Sequence, residues 1–196
     1  MAKILGVSLE LRISDKLKDD ETYVYVANHQ NTWDLATVSY AARPGVVTIG
    51  KKSLKFIPIF GLIYWLSGNI MIDRKDSGKA RNTLSLAGKK AREKGLSIWM
   101  FPEGTRSRGK GILPFKTGAF RLALDNQLTI VPVCASDNHH SIKFNRWKNG
   151  KVIVEIMDPV AISPDSHPRE LANTFEAIIR DKYNTLNDEI SAQTNA

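Results

Sequence analysis

The stretch that decides the fold is Thr22-Tyr-Val-Tyr-Val-Ala27, which runs directly into Asn28-His29-Gln30-Asn31-Thr32-Trp33-Asp34. The first part is aromatic and β-branched, which is typical of a buried strand. The second part is polar and carries a histidine five residues before a carboxylate. An aspartate can hold the proton on Nδ1 of a histidine and leave Nε2 free to remove a proton. We interpret this junction as a candidate base with its orienting group; the alternative is that Asp34 only caps a following helix.

The same alternation of strand and helix continues along the whole chain. Strands are predicted at 7–13, 23–27, 46–49, 69–73, 97–101, 128–135 and 151–157. Helices are predicted at 33–42, in parts of 51–66 with breaks near Pro58 and Gly61, and at 77–94, 117–126 and 169–189. Strands separated by helices predict an α/β fold, with a largely parallel central sheet flanked by helices on both faces. Without repeats or a convincing linker, residues 1–196 form one predicted domain.

Composition sets the class of protein. The chain has 196 residues, of which 42% are hydrophobic and 24% charged, as in an ordinary globular domain. Its single cysteine, Cys134, excludes an intramolecular disulfide and a cysteine-rich metal site. The most apolar stretch, 56–66, is shorter than the roughly 20 residues that a membrane span needs, so it is expected in the core or at an interface.

The positive charge is concentrated in the middle of the chain. The net charge is +8, and residues 51–121 carry sixteen Lys and Arg against four Asp and Glu. Such a region attracts phosphates, which belong to nucleic acid, anionic lipid or a phosphorylated small molecule. A solvated basic face is the alternative for most of these residues. The chain lacks the interleaved aromatic and basic residues of single-strand-binding proteins, so nucleic acid is not an expected partner.

Three polar loops follow predicted strands, at 28–34, 73–76 and 102–116. In a parallel sheet, functional residues gather in the loops at the carboxyl ends of the strands. A base beside several cations predicts a site for a phosphorylated substrate with a reactive hydroxyl, and arginine suits a phosphate because its planar fork can bond two oxygens. The three loops contribute His29 and Asp34, then Arg74, and then Glu103, Arg106, Arg108, Lys110 and Lys116.

Part of the third loop imitates a nucleotide-binding P-loop. Gly104-Thr-Arg-Ser-Arg-Gly-Lys-Gly111 reads G-x-x-x-x-G-K. Gly111 stands where a serine or threonine should bind Mg²⁺, and Pro114 disfavours an immediate helix. The P-loop interpretation is therefore rejected.

Four ordered blocks resemble those of the glycerolipid acyltransferases. They are Asn28-His29-x₄-Asp34, Gly68-Asn-Ile-Met-Ile-Asp-Arg74, Phe101-Pro-Glu-Gly-Thr-Arg-Ser107 and Ile130-Val-Pro-Val133. Within that superfamily the chain is most similar to the bacterial 1-acyl-sn-glycerol-3-phosphate acyltransferases. The resemblance implies transfer of a fatty acyl group from acyl-CoA or acyl-carrier protein to the sn-2 hydroxyl of lysophosphatidic acid, forming phosphatidic acid. Acyltransferases acting on glycerol-3-phosphate or another lysophospholipid are the alternatives.

The resemblance also implies roles for individual residues. His29 would be the general base and Asp34 would orient it. Arg74 and Arg106 would hold the acceptor phosphate, and no cofactor or metal would be needed. Glu103 is left open between a substrate ligand and an organiser of Arg106. The remaining implied positions are Gly104 and Thr105 in the phosphate pocket, Lys51 or Lys52 as a further phosphate ligand, and Pro132 in donor binding or packing.

Membrane attachment is the point at which the chain departs from this family. Bacterial members usually carry an N-terminal membrane-embedded helical segment, and only a few residues precede Val7. The chain is therefore expected to bind an anionic membrane peripherally, at the cytoplasmic face of the inner membrane, through 56–66 and the basic helix at 77–94. A catalytically inactive membrane-surface module is the remaining alternative.

Overall fold

The computed structural model describes residues 6–73, 77–143 and 147–195. Every predicted strand is present, within one or two residues of its predicted bounds. The strands are β1 Ser8–Ile13, β2 Tyr23–Ala27, β3 Val46–Lys51, β4 Ile70–Ile72, β5 Ser97–Met100, β6 Thr129–Ala135 and β7 Lys151–Ile156. The α-helices are α1 Phe60–Leu66, α2 Ser77–Glu93, α3 Gly118–Asp125 and α4 Pro168–Asn195. Short 3-10 helices span Thr32–Leu35, Val38–Ala41 and Lys52–Phe56.

The strands form one sheet in the order β1-β7-β6-β2-β5-β3-β4. Neighbours are parallel except for β6 and β7, which are antiparallel. The five strands from β6 to β4 in this order therefore point the same way, while β1 and β7 point the opposite way. As a result, the segments that follow β2, β3, β4, β5 and β6 all leave the sheet at one edge.

Strand β2 lies at the centre of the sheet and is buried along its whole length. Its Val24 and Val26 pack on one face with residues of α2, α3 and α4, including Phe120 and Phe175. Its tyrosines and Ala27 belong to the core of the other face, which the Val38–Ala41 3-10 helix and loops cover. The predicted α/β class with a largely parallel sheet is confirmed, with the three longer helices on one face and shorter helices on the other.

The prediction of a continuous helix at 33–42 is wrong. The structure has two 3-10 helices there, Thr32–Leu35 and Val38–Ala41. The Thr37 hydroxyl donates to the carbonyl of Trp33 at 3.1 Å, and the backbone N–H of Thr37 donates to the same carbonyl at 3.0 Å. Side-chain hydroxyls that bond nearby carbonyls compete with the regular helix ladder. The chain therefore turns tightly after β2 and keeps Asp34 close to the strand end.

Segment 51–66 is helical in parts, as predicted, with a break near Pro58, but Gly61 does not break it. Gly61 lies inside α1, and the break falls at Pro58 and Ile59, before that helix. A Cβ at position 61 would lie 2.6 Å from the carbonyl oxygen of Leu54 and 2.7 Å from that of Lys55. Glycine is needed here because α1 packs directly against the backbone of the preceding 3-10 helix.

The loop segment 104–111, which imitates a P-loop, continues without a helix after Lys110. The next helix, α3, begins only at Gly118. The backbone N–H groups of a helix start, which a P-loop uses to bind phosphates, are therefore absent immediately after Lys110, in agreement with the rejection of that motif.

Candidate active site

The ends of β2, β5 and β6 are tied together at one edge of the sheet. The backbone N–H of Ser107 donates to the carbonyl of His29 at 2.8 Å, and that of Arg108 donates to the carbonyl of Gln30 at 2.9 Å. The side chain of Asn28 exchanges two hydrogen bonds of 2.9 Å with the backbone of Ala135, at the end of β6. The prediction that loops 28–34 and 102–116 meet at this edge is confirmed.

His29 and Asp34 form the pair that their spacing predicts. Nδ1 of His29 lies 2.6 Å from Oδ2 of Asp34. The same oxygen accepts the backbone N–H groups of Gln30 at 2.8 Å and Asn31 at 3.2 Å. An ionised carboxylate only accepts hydrogen bonds, so its contact with His29 requires the proton to be on Nδ1. The Asp34 side chain is 3% exposed, and these bonds compensate its burial.

The imidazole of His29 is held flat but remains accessible. Its ring stacks on Phe101, with centroids 4.2 Å apart and an angle of 20° between the planes. The His29 side chain is 21% exposed. Among the described residues, none forms a hydrogen bond with Nε2. The ring is therefore fixed through Nδ1 and one face, while Nε2 can accept a proton from an incoming group.

Glu103 braces the backbone around the histidine. One carboxylate oxygen accepts the backbone N–H of His29 at 2.7 Å, and the other accepts that of Leu113 at 3.1 Å. Burial raises the pKa of the Glu103 carboxyl to about 7, although the two N–H donors oppose this shift. Glu103 thus connects the loop after β2 to the loop after β5, and no contact with the Arg106 side chain is needed for this role.

Gly104 and Lys116 lie together on the third loop. Gly104 has a φ of +71°, and a Cβ added to it would lie 2.9 Å from Nζ of Lys116. Glycine is therefore favoured for its backbone conformation and for the close approach of the lysine. Thr105 and Arg106 are exposed on the same loop. Arg106 directly precedes Ser107, whose backbone N–H is bonded to the carbonyl of His29, so the backbone of Arg106 lies beside that of the histidine.

The remaining predicted cations lie towards the β3 and β4 side of the sheet. Lys51 ends β3 and Lys52 begins the following 3-10 helix, and both are exposed. Nζ of Lys52 lies 3.9 Å from a carboxylate oxygen of Asp73. Arg74 lies outside the described residues, so its predicted phosphate contact stays a prediction.

Pro132 lies inside β6 and is buried. Its carbonyl accepts the backbone N–H of Met157 at 3.0 Å, and it is paired in register with Val26 of β2. These surroundings are those of a packing residue. Its predicted connection to the acyl donor stays a prediction.

Comparison with known proteins identifies the family of this chain. The family described as Acyltransferase matches residues 8–136. The chain belongs to the acyltransferase family. The match includes His29, Asp34 and Glu103, together with the five parallel strands that position them.

Individual relatives of this acyltransferase cover nearly the whole chain. It is 46% identical over 190 residues to the 1-acyl-sn-glycerol-3-phosphate acyltransferase of Haemophilus influenzae, covering 96% of this chain and 79% of that protein. The enzyme of the same name from Escherichia coli K12 is 44% identical over 196 residues, with 97% and 79% covered. The crystal structure of the 1-acyl-sn-glycerophosphate acyltransferase PlsC from Thermotoga maritima superposes with a TM-score of 0.73 at 24% identity, covering 94% of this chain and 74% of that one. That structural likeness supports the fold.

Sequence reasoning missed Asn138, which contacts Asp34 directly. Nδ2 of this buried residue donates to Oδ1 of Asp34 at 2.7 Å. Asn138 follows β6, whose carboxyl end lies at the same edge of the sheet as those of β2 and β5. Functional residues gather in loops at the carboxyl ends of parallel strands, and this loop meets that criterion as 28–34 and 102–116 do. None of the motifs recognised in the sequence includes Asn138.

An exposed apolar surface follows β3 in the acyltransferase and borders the same edge. Phe56 is 75% exposed and Trp65 is 65% exposed. Lys51, Lys52 and Lys55 are exposed beside them. In the described part of the chain, no helix combines the length and the apolar character that crossing a bilayer requires. The other exposed apolar residues of this surface are Ile57, Ile59, Leu62, Ile63 and Leu66.

Proposed function

We propose that this acyltransferase moves a fatty acyl group from acyl-CoA or acyl-carrier protein to the sn-2 hydroxyl of 1-acyl-sn-glycerol-3-phosphate, which forms phosphatidic acid. The observation that carries the proposal is the 2.6 Å contact between Nδ1 of His29 and Oδ2 of Asp34, which leaves Nε2 available. The names of the bacterial relatives support the choice of acceptor.

The reaction needs a base for the acceptor alcohol. Nε2 of His29 removes the proton of the sn-2 hydroxyl as its oxygen attacks the thioester carbonyl carbon. The tetrahedral intermediate then collapses, the carbon–sulfur bond breaks, and the imidazolium returns the proton to the leaving thiolate. Asp34 stabilises the imidazolium through Nδ1 during both steps. A thioester is already activated, so the chemistry does not require a covalent acyl-enzyme.

The acceptor phosphate needs cations near the base. We propose Arg106 and Arg74 as its ligands, with Lys51 or Lys52 as a further cation. Strand β3 is two strands from β2, and neighbouring strands are about 4.8 Å apart. The end of β3, where both lysines lie, is therefore roughly 10 Å from the end of β2, where the histidine lies. That separation matches a headgroup bound between them. Gly104 and Thr105 would form the floor of this pocket, and Lys116 beside Gly104 adds a further positive charge.

Glu103 is proposed here as a bracing residue. Both of its oxygens accept backbone N–H groups in the structure, and the residue is only 2% exposed, which leaves little access for a substrate. Its buried carboxyl would hold the histidine backbone in register with the third loop. Pro132 is proposed to pack the sheet behind the site.

The proposed location is the cytoplasmic face of the inner membrane, where the protein would bind the anionic lipid surface peripherally. Side chains such as Phe56 and Trp65 would enter the lipid interface while the neighbouring lysines remain at the headgroups. Each lysine near such a surface contributes about 1 kcal/mol. In this orientation, the end of β3 and the active-site edge of the sheet would lie against the membrane that contains the lipid substrates.

An assay of the purified chain with lysophosphatidic acid and acyl-CoA in detergent micelles tests the function. Acyl-carrier protein charged with the same acyl group should run in parallel as donor, and glycerol-3-phosphate as a competing acceptor. Phosphatidic acid formed from lysophosphatidic acid is the expected product. Acylation of glycerol-3-phosphate alone would move the enzyme to the alternative acceptor. Binding to anionic vesicles without any product would favour the inactive surface module.

A further inference from the structure

Asp34 is held from two sides, and only one of them is part of the histidine loop. Its Oδ2 atom receives His29 and the backbone N–H groups of Gln30 and Asn31. Its Oδ1 atom receives Nδ2 of Asn138 at 2.7 Å. Asn138 is 104 residues away in sequence and belongs to the loop that follows β6. Without it, Oδ1 would be a buried carboxylate oxygen that has lost its side-chain donor.

The orientation of the Asn138 amide is determined by its neighbours. A carboxylate only accepts hydrogen bonds, so the NH₂ group of Asn138 must face Asp34. Its oxygen then accepts Nδ2 of Asn31 at 2.7 Å. The oxygen of Asn31 in turn accepts the backbone N–H of Trp33 at 2.8 Å, which is consistent with this assignment. A single arrangement of the two amides satisfies all these contacts.

The backbone of Asn138 is also fixed. Its N–H donates to Oε1 of Gln30 at 3.0 Å, while Nε2 of Gln30 donates to the carbonyl of Ser136 at 2.7 Å. The loop after β6 is therefore bonded to the histidine loop independently of the contact between the Asn138 side chain and the carboxylate. An amide held in this way constrains the rotation of the Asp34 carboxyl group.

We propose that Asn138 is a positioning residue for the acyl transfer. It holds Asp34 in the plane that places the proton on Nδ1 of His29, and it stabilises the carboxylate as a charged acceptor. The expected effect on rate rests on the proposed function, whereas the effect on the histidine does not. Residues that orient the partner of a reactive histidine affect the reaction without touching the substrate.

The test uses two variants at position 138 and a matched control. Asn138→Ala removes both amide contacts, and Asn138→Asp keeps the oxygen for Asn31 while losing the donor to Asp34. Asn126→Ala is the control, because Asn126 is also buried and its Nδ2 donates to the carbonyl of Leu122 at 2.8 Å, without contacting His29 or Asp34. Each protein is examined by proton NMR for the Nδ1 proton of His29, assigned by its absence in His29→Ala, and by kcat and KM for lysophosphatidic acid.

Both variants at position 138 should lower kcat by about tenfold, which corresponds to a loss of about 1.4 kcal/mol of transition-state stabilisation. KM for the acceptor should stay unchanged, and the Nδ1 proton signal should shift or broaden only in these variants. Combining Asn138→Ala with Asp34→Ala should be no slower than Asp34→Ala alone, since Asn138 acts through Asp34.

Three results would overturn the proposal. The first is a wild-type kcat and Nδ1 signal in a folded Asn138→Ala or Asn138→Asp protein. The second is an equal additional loss of kcat in the Asp34→Ala background. The third is failure of both variants to fold, which would make Asn138 a determinant of the fold. If the wild-type protein transfers no acyl group, the proposed function fails, and the Nδ1 signal alone decides whether Asn138 positions the pair.

Discussion

The histidine loop at 28–34 and the segment at 52–66 border the same edge of the sheet, yet they are built in opposite ways. In the first, polar side chains are buried and bonded to one another: Asp34 alone accepts four hydrogen bonds. In the second, large apolar side chains such as Phe56 and Trp65 are exposed, with lysines beside them.

Folding alone satisfies the buried polar groups of the histidine loop, whereas the apolar side chains of 52–66 would be covered only by contact with lipid. Burying a carboxylate is costly unless it is fully bonded, so the hydrogen bonds of Asp34 hold the imidazole of His29 in place before any substrate arrives. An exposed apolar surface costs free energy in water, and an interface with apolar material recovers it. Variants of the two regions should therefore have separable effects, the largest at the histidine and the smallest at the apolar surface.

Removing His29, the proposed base, should have the largest effect. His29→Ala should lower kcat by at least about 100-fold, because general-base catalysis contributes roughly 10²–10⁴-fold. The measurement is the initial rate of phosphatidic acid formation at saturating lysophosphatidic acid. His167→Ala, at an exposed position before α4, is the matched control and should keep the wild-type rate. A wild-type rate in His29→Ala would remove this histidine from the mechanism.

Glu103 should make stability depend on pH. Burial raises the pKa of its carboxyl to about 7, above its ordinary value of 4.5, so the folded state keeps a proton that the unfolded chain has released. This contribution is present below pH 4.5 and is lost as pH rises through about 7, which lowers the free energy of unfolding by up to ~3 kcal/mol. Glu103→Gln should remove this part of the pH dependence.

Urea denaturation at pH 5 and pH 8 measures this effect as the difference between wild type and variant. Glu93→Gln, at an exposed position in the last turn of α2, serves as control and should follow the wild-type pH dependence. Parallel pH profiles for Glu103→Gln and wild type would show that the buried carboxyl does not bind a proton in this range.

Loss of Arg106, the proposed phosphate ligand, should affect binding more than chemistry. Arg106→Gln should raise KM for lysophosphatidic acid by about tenfold while kcat changes little, since an exposed charged hydrogen bond falls near the lower end of the ~1.5–3 kcal/mol range. Steady-state kinetics in micelles provides both constants. Lys90→Gln, at an exposed position near the far end of α2, should leave KM unchanged. A tenfold fall in kcat with an unchanged KM would instead place Arg106 at the reacting centre.

The apolar surface should give the smallest single-residue effect. Trp65→Ala should weaken binding to vesicles of phosphatidylglycerol by roughly fivefold, or about 1 kcal/mol, because only part of the ring enters the interface. Co-sedimentation measures the bound fraction. Trp147→Ala is the matched control, since Trp147 is 99% exposed and lies outside segment 52–66. Equal losses in the two variants would show that exposed aromatic area, and not this surface, determines binding.

The sequence predicts the strands better than it predicts the site. Continuous apolar runs between polar segments predict the positions of strands such as β2, because every residue of this strand is buried. The pairing of His29 with Asp34 is local, so its spacing also predicts it. The 3-10 conformation of 32–41 is not predicted, because the hydroxyl of Thr37 competes with the helix ladder in a way that periodicity does not show.

The missed parts of the site depend on contacts between distant segments. Glu103 is a recognisable motif residue, but its two backbone partners, His29 and Leu113, become visible only in the folded chain. Asn138 has no motif, and an uncharged amide in a polar loop resembles a surface residue in the sequence. Its contact with Asp34 follows from the position of β6 beside β2.

The central claim is that Asp34 holds the proton of neutral His29 on Nδ1 and leaves Nε2 free. Nitrogen-15 NMR of the His29 ring in the ligand-free protein measures this directly, because a protonated and an unprotonated ring nitrogen resonate far apart. We predict a protonated Nδ1 and an unprotonated Nε2 in the wild type, with a mixture of both forms in Asp34→Ala. A proton found on Nε2 in the wild-type protein would contradict the account.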